Sequence, residues 1–141
     1  MKRSLSAGYE LDDDPGRIDR VAVHAFLTTS YWAEGRTREV NDLLIDRAFR
    51  VVGLFHDGAQ VGFARAVSDG ITVAYLADVY VLPEHRGHGR GVELVRFMVA
   101  EGPLAEIRKW ILHTSDAHNL YRKLGFTEPD ARLLERWHPA P

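Results

Sequence analysis

The stretch Arg86-Gly87-His88-Gly89-Arg90-Gly91 is the most informative part of this sequence. Its three glycines let backbone amides come close to a ligand, because glycine has no Cβ to obstruct the approach. The stretch lies between a strongly apolar run and a helical pattern, so it opens a helix, where free amides and the helix dipole attract anions. Arginine and histidine side chains add positive charge. We therefore expect a phosphate-binding turn.

Two common phosphate-binding motifs do not match this turn. A P-loop ends in Gly-Lys followed by Ser or Thr, and no Lys-Ser or Lys-Thr pair follows Gly91. The dinucleotide fingerprint reads G-x-G-x-x-G in an early strand–helix unit, whereas this turn reads G-x-G-x-G and lies late in the chain. The sequence therefore predicts a phosphate ligand of another kind.

The segments around the turn predict a mixed α/β fold. Ile71–Leu82 is apolar on both alternating faces, which is typical of a central strand covered on both sides, and Pro83 ends it. Asp57-Gly58 separates two apolar runs and predicts a hairpin of Phe49–Phe55 and Gln60–Val67. Apolar spacing predicts helices over 18–27, Thr37–Arg47, Gly91 to Gly102 and Asp116–Leu124, and further strands over Leu5–Leu11, Ile107–Thr114 and from Phe126 onward.

Length and composition restrict the classes of protein to consider. The 141 residues fit a single domain over residues 1–141, with a central, mixed, twisted sheet of about six to seven strands and helices on both faces. A net charge of -2 offers no basic surface for nucleic acid, and the absence of cysteine excludes disulfides, thiolate metal sites and a cysteine nucleophile. No apolar run reaches the ~20 residues of a membrane helix, and no apolar region follows the basic start Met1-Lys2-Arg3-Ser4, so we expect no secretory signal. We expect a cytoplasmic protein without a nucleic-acid or membrane partner.

Two separated motifs resemble signatures of the GNAT superfamily of acyl-CoA-dependent N-acetyltransferases. The family's [RQ]-x-x-G-x-[GA] pattern is matched by Arg86, Gly89 and Gly91, and its LYxxxGF ending by Leu120–Phe126. Ser30–Arg36 is similar to an SYWAxGR-like segment of a bacterial subgroup. The resemblance covers about Phe49 to Phe126. It implies a GNAT-like fold, acetyl-CoA as co-substrate and acetyl transfer to a primary amine of a small molecule.

The resemblance also implies where acetyl-CoA binds. The diphosphate would lie on the amides of residues 87–92, and the pantetheine arm would pair with residues 79–81, because the sheet is expected to splay after Val81. An amide near Val81 would polarise the thioester oxygen. Many members have an Asn before the tyrosine, whereas Asp116 stands here at a shorter spacing, so that contact is not assigned. The implied cofactor-binding residues are Val79, Tyr80, Val81, Arg86, Gly87, His88, Gly89, Arg90, Gly91 and Val92.

Tyr121 and Asp78 are the candidate catalytic residues. By spacing alone Tyr121 fits the apolar face of the last helix, and the resemblance makes it the general acid for the departing thiolate. Asp78 is the only charged residue between Ile71 and Pro83, and a buried carboxylate there needs a partner. Asp78 either caps a local backbone irregularity or faces the site and holds the cationic amine.

The amine must also lose a proton before it can attack. A primary amine with a pKa of ~10.4 is almost entirely protonated at neutral pH. Three groups could take that proton: Asp78 through a water molecule, Glu84 or His85. The sequence does not choose among them.

The connection between the first two helices is where the resemblance implies the acceptor pocket. His24, Tyr31, Trp32 and Arg36 lie in or next to this connection, and Asp78 could join them. Aromatic rings beside a cation suit an aromatic or acidic acceptor. Trp32 could equally anchor the helices to the sheet.

Metal and covalent chemistry are not expected. His113 and His118 do not form an HExxH-like pair with a carboxylate, so we expect no metal site. A chain without cysteine favours direct transfer in a ternary complex over a covalent thioester. The alternatives are acetylation of a protein N-terminus or lysine, and a non-catalytic acyl-CoA-binding domain; a homodimer also stays open.

Overall fold

A computed structural model describes residues 1–139, which form a mixed α/β structure. Six strands make one sheet in chain order, and all neighbours are antiparallel except β5 and β6, which are parallel. The strands are β1 (Lys2–Ser4), β2 (Tyr9–Asp12), β3 (Arg50–His56), β4 (Ala59–Ser68), β5 (Val73–Val81) and β6 (Lys109–Ile111). The helices are α1 (Arg20–Leu27), α2 (Arg38–Arg47), α3 (Arg90–Ala100) and α4 (His118–Arg122).

Local chemistry explains several element boundaries. Asp57 and Gly58 have φ angles of 50° and 85°, which a two-residue hairpin turn between β3 and β4 requires. The side chains of Asp19 and Thr37 accept hydrogen bonds from the third amides of α1 and α2 and so begin these helices. The structure thus confirms the predicted hairpin and the first two predicted helices.

Two apolar clusters cover the two faces of the sheet. On one face, Leu94 and Met98 of α3 pack with Leu76 of β5 and its neighbours. On the other, Leu27 of α1 packs with Phe63 of β4 and its neighbours. A mixed sheet with helices on both faces is therefore confirmed. No helix of residues 1–139 is long and apolar enough to cross a membrane.

Three predicted strands differ from the structure. Leu5–Leu11 is interrupted by a turn in which Ala7 and Gly8 have φ angles of 60° and 81°, so β1 folds back on β2. The strand predicted over Ile107–Thr114 is only Lys109–Ile111. No strand forms between Phe126 and residue 139, where exposed charged residues surround Pro129, which cannot donate to a strand ladder. The pattern of apolar residues alone did not predict where these strands begin and end.

The sheet separates earlier than expected. The pairing of β5 with β6 ends at Tyr75 and Ile111, while β5 continues to Val81. The separation therefore begins after Tyr75 rather than after Val81, because β6 is three residues long. One edge of residues 76–81 is left without a neighbouring strand in the described part of the chain, and this edge opens the site.

Candidate active site

A cleft of about 950 Å³ lies along the open edge of β5. It brings together the glycine-rich turn, the carboxyl half of β5, α4 with Tyr121, and the connection between α1 and α2 with Tyr31, Trp32 and Arg36. Four regions that the sequence singled out separately thus line one cavity. His24 and His88 do not line it.

The glycine-rich turn presents free backbone amides to the cleft. Gly87 and Gly89 have φ angles of 90° and 78°, in the left-handed region that glycine adopts without strain. Gly89 is the N-cap of α3 and has no side chain to bond the first amides of the helix. The amides of residues 87–92 donate to no acceptor in residues 1–139. A Cβ at Gly87 or Gly89 would meet nothing within 4 Å, so the turn is an open cradle that fits a diphosphate.

The two arginines of the turn have different surroundings. Arg86 lines the cleft, and its Nε donates to the carbonyl oxygen of Val81 at 2.7 Å. The Arg90 side chain instead donates to Ser6 and lies 4.4 Å from the ring centre of Tyr9. Arg90 can therefore offer a ligand its backbone amide, while Arg86 can offer its charge.

Tyr121 is held in place by the turn after α4, which contains Gly125. Gly125 has a φ of 90°, and the amide of Phe126 donates to the carbonyl oxygen of Tyr121 at 3.2 Å. This turn places the Phe126 ring edge-on to Tyr121, with 5.8 Å between the ring centres. The LYxxxGF spacing thus fixes the position of the tyrosine ring.

Tyr121 lines the cleft and is only 9% exposed, yet its hydroxyl has no hydrogen-bond partner among residues 1–139. Burial raises the pKa of Tyr121 to about 12, and the charges of Tyr31 and Asp116 add to this rise. The hydroxyl therefore keeps its proton at neutral pH and can donate a hydrogen bond.

Asp78 lies at an irregularity in β5. Phe63 pairs with Tyr80 and Arg65 with Ala77, so β5 has one residue more than β4 in this interval. Asp78 has a φ of 56°, which aspartate tolerates better than most residues. This bulge redirects its side chain and interrupts the regular ladder.

The Asp78 carboxylate is satisfied by three protein donors. It accepts from Arg36 Nη1 and Arg65 Nε at 2.8 Å each, and from Trp32 Nε1 at 3.1 Å. Burial raises the pKa of Asp78, but the hydrogen bonds and charges of Arg36 and Arg65 outweigh it and hold the pKa below its usual range. Asp78 thereby joins the α1–α2 connection to β4 and β5. Asp78 lies at a backbone irregularity, but its carboxylate accepts from side chains and from no backbone amide of residues 1–139. An acceptor ammonium would have to join or displace an arginine.

Sequence patterns missed Arg65, although one signal was present. It is the only charged residue in Ala59–Val67, just as Asp78 is in its own strand. Two isolated opposite charges on adjacent buried strands would each need a partner. Their register, however, depends on the bulge, and periodicity does not show a bulge.

A second polar group at the cleft was also missed. The Tyr75 hydroxyl is hydrogen-bonded to His113 Nδ1 at 2.6 Å, and His113 Nε2 contacts the Glu135 carboxylate. Tyr75 and His113 line the cleft, and burial raises the pKa of Tyr75. Because Glu135 can only accept, His113 Nε2 carries the proton and Nδ1 accepts from Tyr75 when the ring is neutral.

The proposed bases Glu84 and His85 lie outside the cleft lining. His85 Nδ1 is hydrogen-bonded to the Tyr9 hydroxyl at 2.7 Å, next to the N-terminal strands. Across the cleft, Tyr31 accepts a hydrogen bond from the Ser115 amide at 3.0 Å. This bond links the α1–α2 connection to the segment after β6. Within residues 1–139, no group of three or more metal-binding side chains is clustered.

Comparisons with known proteins agree with this geometry. The model of the acetyltransferase (GNAT) family matches residues 9–126. A crystal structure of a GNAT-family protein from Xanthomonas campestris pv. campestris is 40% identical, with a TM-score of 0.86, covering 93% of this chain and 94% of the other. A candidate acetyltransferase from Deinococcus radiodurans R1 is 26% identical, with a TM-score of 0.74 and coverages of 96% and 94%.

Curated relatives are longer than the matched region. An uncharacterised N-acetyltransferase from Gracilaria tenuistipitata var. liui is 30% identical over 114 residues, or 77% of this chain and 62% of its own length. The matched regions span between 37% and 62% of the curated relatives.

Proposed function

The chain belongs to the GNAT acetyltransferase family, and on this premise we propose that it moves an acetyl group from acetyl-CoA directly to a primary amine of a small molecule. One observation carries the proposal: the free amides of residues 87–92, the open edge of β5 and the Tyr121 hydroxyl line the same cleft. Its volume of about 950 Å³ is in the range of small-molecule sites. The Tyr31–Ser115 bond across the cleft favours a small acceptor over a protein segment.

Each part of acetyl-CoA has a matching group in this cleft. Acetyl-CoA supplies the acetyl group as a thioester, whose carbonyl carbon an amine can attack. The amides of residues 87–92 and the Arg86 side chain would hold its diphosphate. The open edge at Val79, Tyr80 and Val81 would pair with its amide-bearing arm, as an added strand does.

Tyr121 would act on the sulfur that leaves. After loss of one proton, the acceptor nitrogen forms a bond to the carbonyl carbon, the carbon–sulfur bond breaks, and negative charge develops on sulfur. The nitrogen of the new amide releases its second proton to water. A phenol with a pKa of about 12 is a weaker acid than a thiol, whose pKa is ~8.5. We therefore assign Tyr121 the role of hydrogen-bond donor to the developing thiolate, which leaves as the anion.

Tyr75 and His113 would remove the proton from the acceptor. An ammonium proton passes to the Tyr75 oxygen while the Tyr75 proton passes to His113 Nδ1, and Glu135 stabilises the resulting imidazolium. Asp78 is unsuited to this task because Arg36 and Arg65 lower its pKa and occupy it. This assignment replaces Glu84 and His85 as the candidate bases.

Removal of the His113 ring nitrogens tests this proton path. We expect His113→Phe to lower kcat/KM for the acceptor about 10²-fold at neutral pH, the lower end of the usual range for a general base. The deficit shrinks as the pH approaches the amine pKa of ~10.4, because the free amine then forms without a base. His118→Phe, an exposed histidine outside the cleft, is the control. An equal deficit at every pH would contradict the path.

Loss of the Arg86 charge tests the phosphate-binding turn. We expect Arg86→Ala to raise the Kd for acetyl-CoA about tenfold, since a charged hydrogen bond contributes about 1.5–3 kcal/mol. The matched control is Arg96→Ala, on the exposed side of α3 and outside the cleft. Calorimetry with acetyl-CoA measures both variants. An unchanged Kd for Arg86→Ala would remove that side chain from the site.

An acceptor screen tests the proposed function itself. Purified protein is mixed with acetyl-CoA and separately with free amines, amino acids, polyamines and short peptides, and the release of thiol is followed. We expect release with at least one small amine. Release with peptides alone would instead indicate protein acetylation. Binding of acetyl-CoA without release on the whole panel would indicate a non-catalytic acyl-CoA-binding domain.

A further inference from the structure

The charges around Asp78 do not balance within the cleft. Side-chain exposure is 14% for Arg36, 11% for Arg65 and 3% for Asp78, so two nearly buried guanidinium groups share one carboxylate. The other carboxylate that lines the cleft, Asp116, is exposed and acts on Tyr121. An excess positive charge therefore remains at the Asp78 end.

Both arginines also keep unused hydrogen-bond donors. Arg65 donates to Asp78 through Nε, and its two terminal nitrogens bond to no residue of the range 1–139. Arg36 donates to Asp78 through Nη1 alone among its side-chain nitrogens, within the same range. Arg65 as a whole is 9% exposed and lines the cleft. The terminal nitrogens of Arg65 are not fully closed off from solvent, and because Arg65 lines the cleft, these free donors are available to a ligand there.

Aromatic rings form the walls next to these arginines. Tyr31 and Trp32 are in edge-to-face contact with 5.0 Å between ring centres, and Trp32 is held by its bond to Asp78. Tyr75 lines the same cleft, and the charges of Arg65 and Asp78 lower and raise its pKa, respectively. Aromatic rings therefore flank the guanidinium groups in a largely buried part of the cleft, where charge-assisted hydrogen bonds are strong.

We propose that the acceptor amine carries an anionic group, a carboxylate or a phosphate, and that Arg65 and Arg36 bind this group. The inference rests on the proposed function and specifies its substrate class. A planar guanidinium can bind either anion through two parallel hydrogen bonds, which would orient the amine as well as hold it. The bound anion would neutralise the positive charge of the two arginines that Asp78 alone does not neutralise.

Matched amine pairs test the inference. Phenylalanine and phenethylamine differ by a carboxylate, while phosphoethanolamine and ethanolamine differ by a phosphate. We expect a KM at least about tenfold lower for the anionic member of one pair, as one charged hydrogen-bonded contact would give. The pair that responds identifies the anion. Equal KM values in both pairs would overturn the inference.

Arg65→Gln shows whether this arginine is responsible. Asp78 keeps Arg36 and Trp32 as partners in this variant, so the fold should survive, and an unchanged Kd for acetyl-CoA verifies it. We expect KM to rise about tenfold for the anionic acceptor and to stay constant for its neutral analogue. Arg65→Lys keeps the positive charge but lacks the planar guanidinium, so its KM for the anionic acceptor should lie between those of wild type and Arg65→Gln. The same rise in KM for both acceptors would contradict the assignment.

Direct binding separates this inference from the proposed function. Calorimetry with phenylacetate and with inorganic phosphate needs no turnover. Suppose that no amine is acetylated, that one of these anions binds to the wild type and that this binding is lost in Arg65→Gln. The proposed function then fails and the anion site stands. If neutral amines are acetylated and neither anion binds, the proposed function stands and the anion site fails.

Discussion

Tyr121→Phe is expected to lower kcat about 10²–10³-fold, the usual effect of removing one donor to a developing anion. The substitution removes a single oxygen. The ring keeps its edge-on contact with Phe126, and the turn at Gly125 is unchanged, so packing of α4 should be preserved. The Kd for acetyl-CoA should change little, because the interaction strengthens only as charge develops on sulfur.

Single-turnover rates are the appropriate measurement for Tyr121→Phe, since slow product release could hide a loss in the chemical step. Tyr9→Phe is the matched control, because the Tyr9 hydroxyl is bonded to His85 outside the cleft lining. Unchanged chemistry in Tyr121→Phe would remove the phenol from the mechanism and leave water or another side chain to stabilise the sulfur.

Asp78→Asn is expected to lower the free energy of unfolding by about 3–5 kcal/mol, the usual cost of removing one partner from a buried ion pair. Arg36 and Arg65 would then share a buried site with no counter-charge. Asparagine tolerates the left-handed backbone at this position, so the loss reports on charge rather than strain. Urea denaturation measures the difference.

Asp57→Asn is the matched control for Asp78→Asn. Asp57 has a φ of 50°, close to that of Asp78, but its side chain is 79% exposed and has no arginine partner. We expect its stability to change by less than about 0.5 kcal/mol, as at most surface positions. An equal loss in both variants would mean that the conformation, and not the ion pairs, stabilises this part of the fold.

The ion pairs of Asp78 also predict a dependence on pH. Because the folded pKa is lower than the unfolded value of ~3.9, the stabilisation is complete above that value and is lost as the pH falls through the folded pKa. The difference between wild type and Asp78→Asn should therefore be constant near neutral pH and close only in acid. A difference that closes near neutral pH would contradict the lowered pKa.

Local sequence predicted those parts of the fold that depend on local physics. The Asp57-Gly58 turn, the apolar run of β5 and the glycine-rich opening of α3 follow from backbone freedom and periodicity. The strand expected from Phe126 onward did not form before residue 139, because the residues around Pro129 are exposed and mostly charged and the proline cannot donate to a strand ladder.

The composition of the candidate site was less predictable. The Tyr121 motif and the glycine-rich turn were visible because each is continuous in sequence. The pairing of Arg65 with Asp78 depends on a bulge, and that of Tyr75 with His113 on the short parallel contact of β5 and β6. Both pairs join separate strands or segments, so only the tertiary structure brings them together.

Direct transfer of an acetyl group to a small amine is tested most directly by mass spectrometry of a quenched reaction. Protein, acetyl-CoA and the best acceptor from the screen are mixed, and the reaction is quenched at short times. The masses of the acceptor and of the protein are then measured. We predict an acceptor heavier by one acetyl group at every time point and a protein of unchanged mass. An acetylated protein that forms first and then decays, or an acceptor whose mass never changes while acetyl-CoA is bound, would contradict the account.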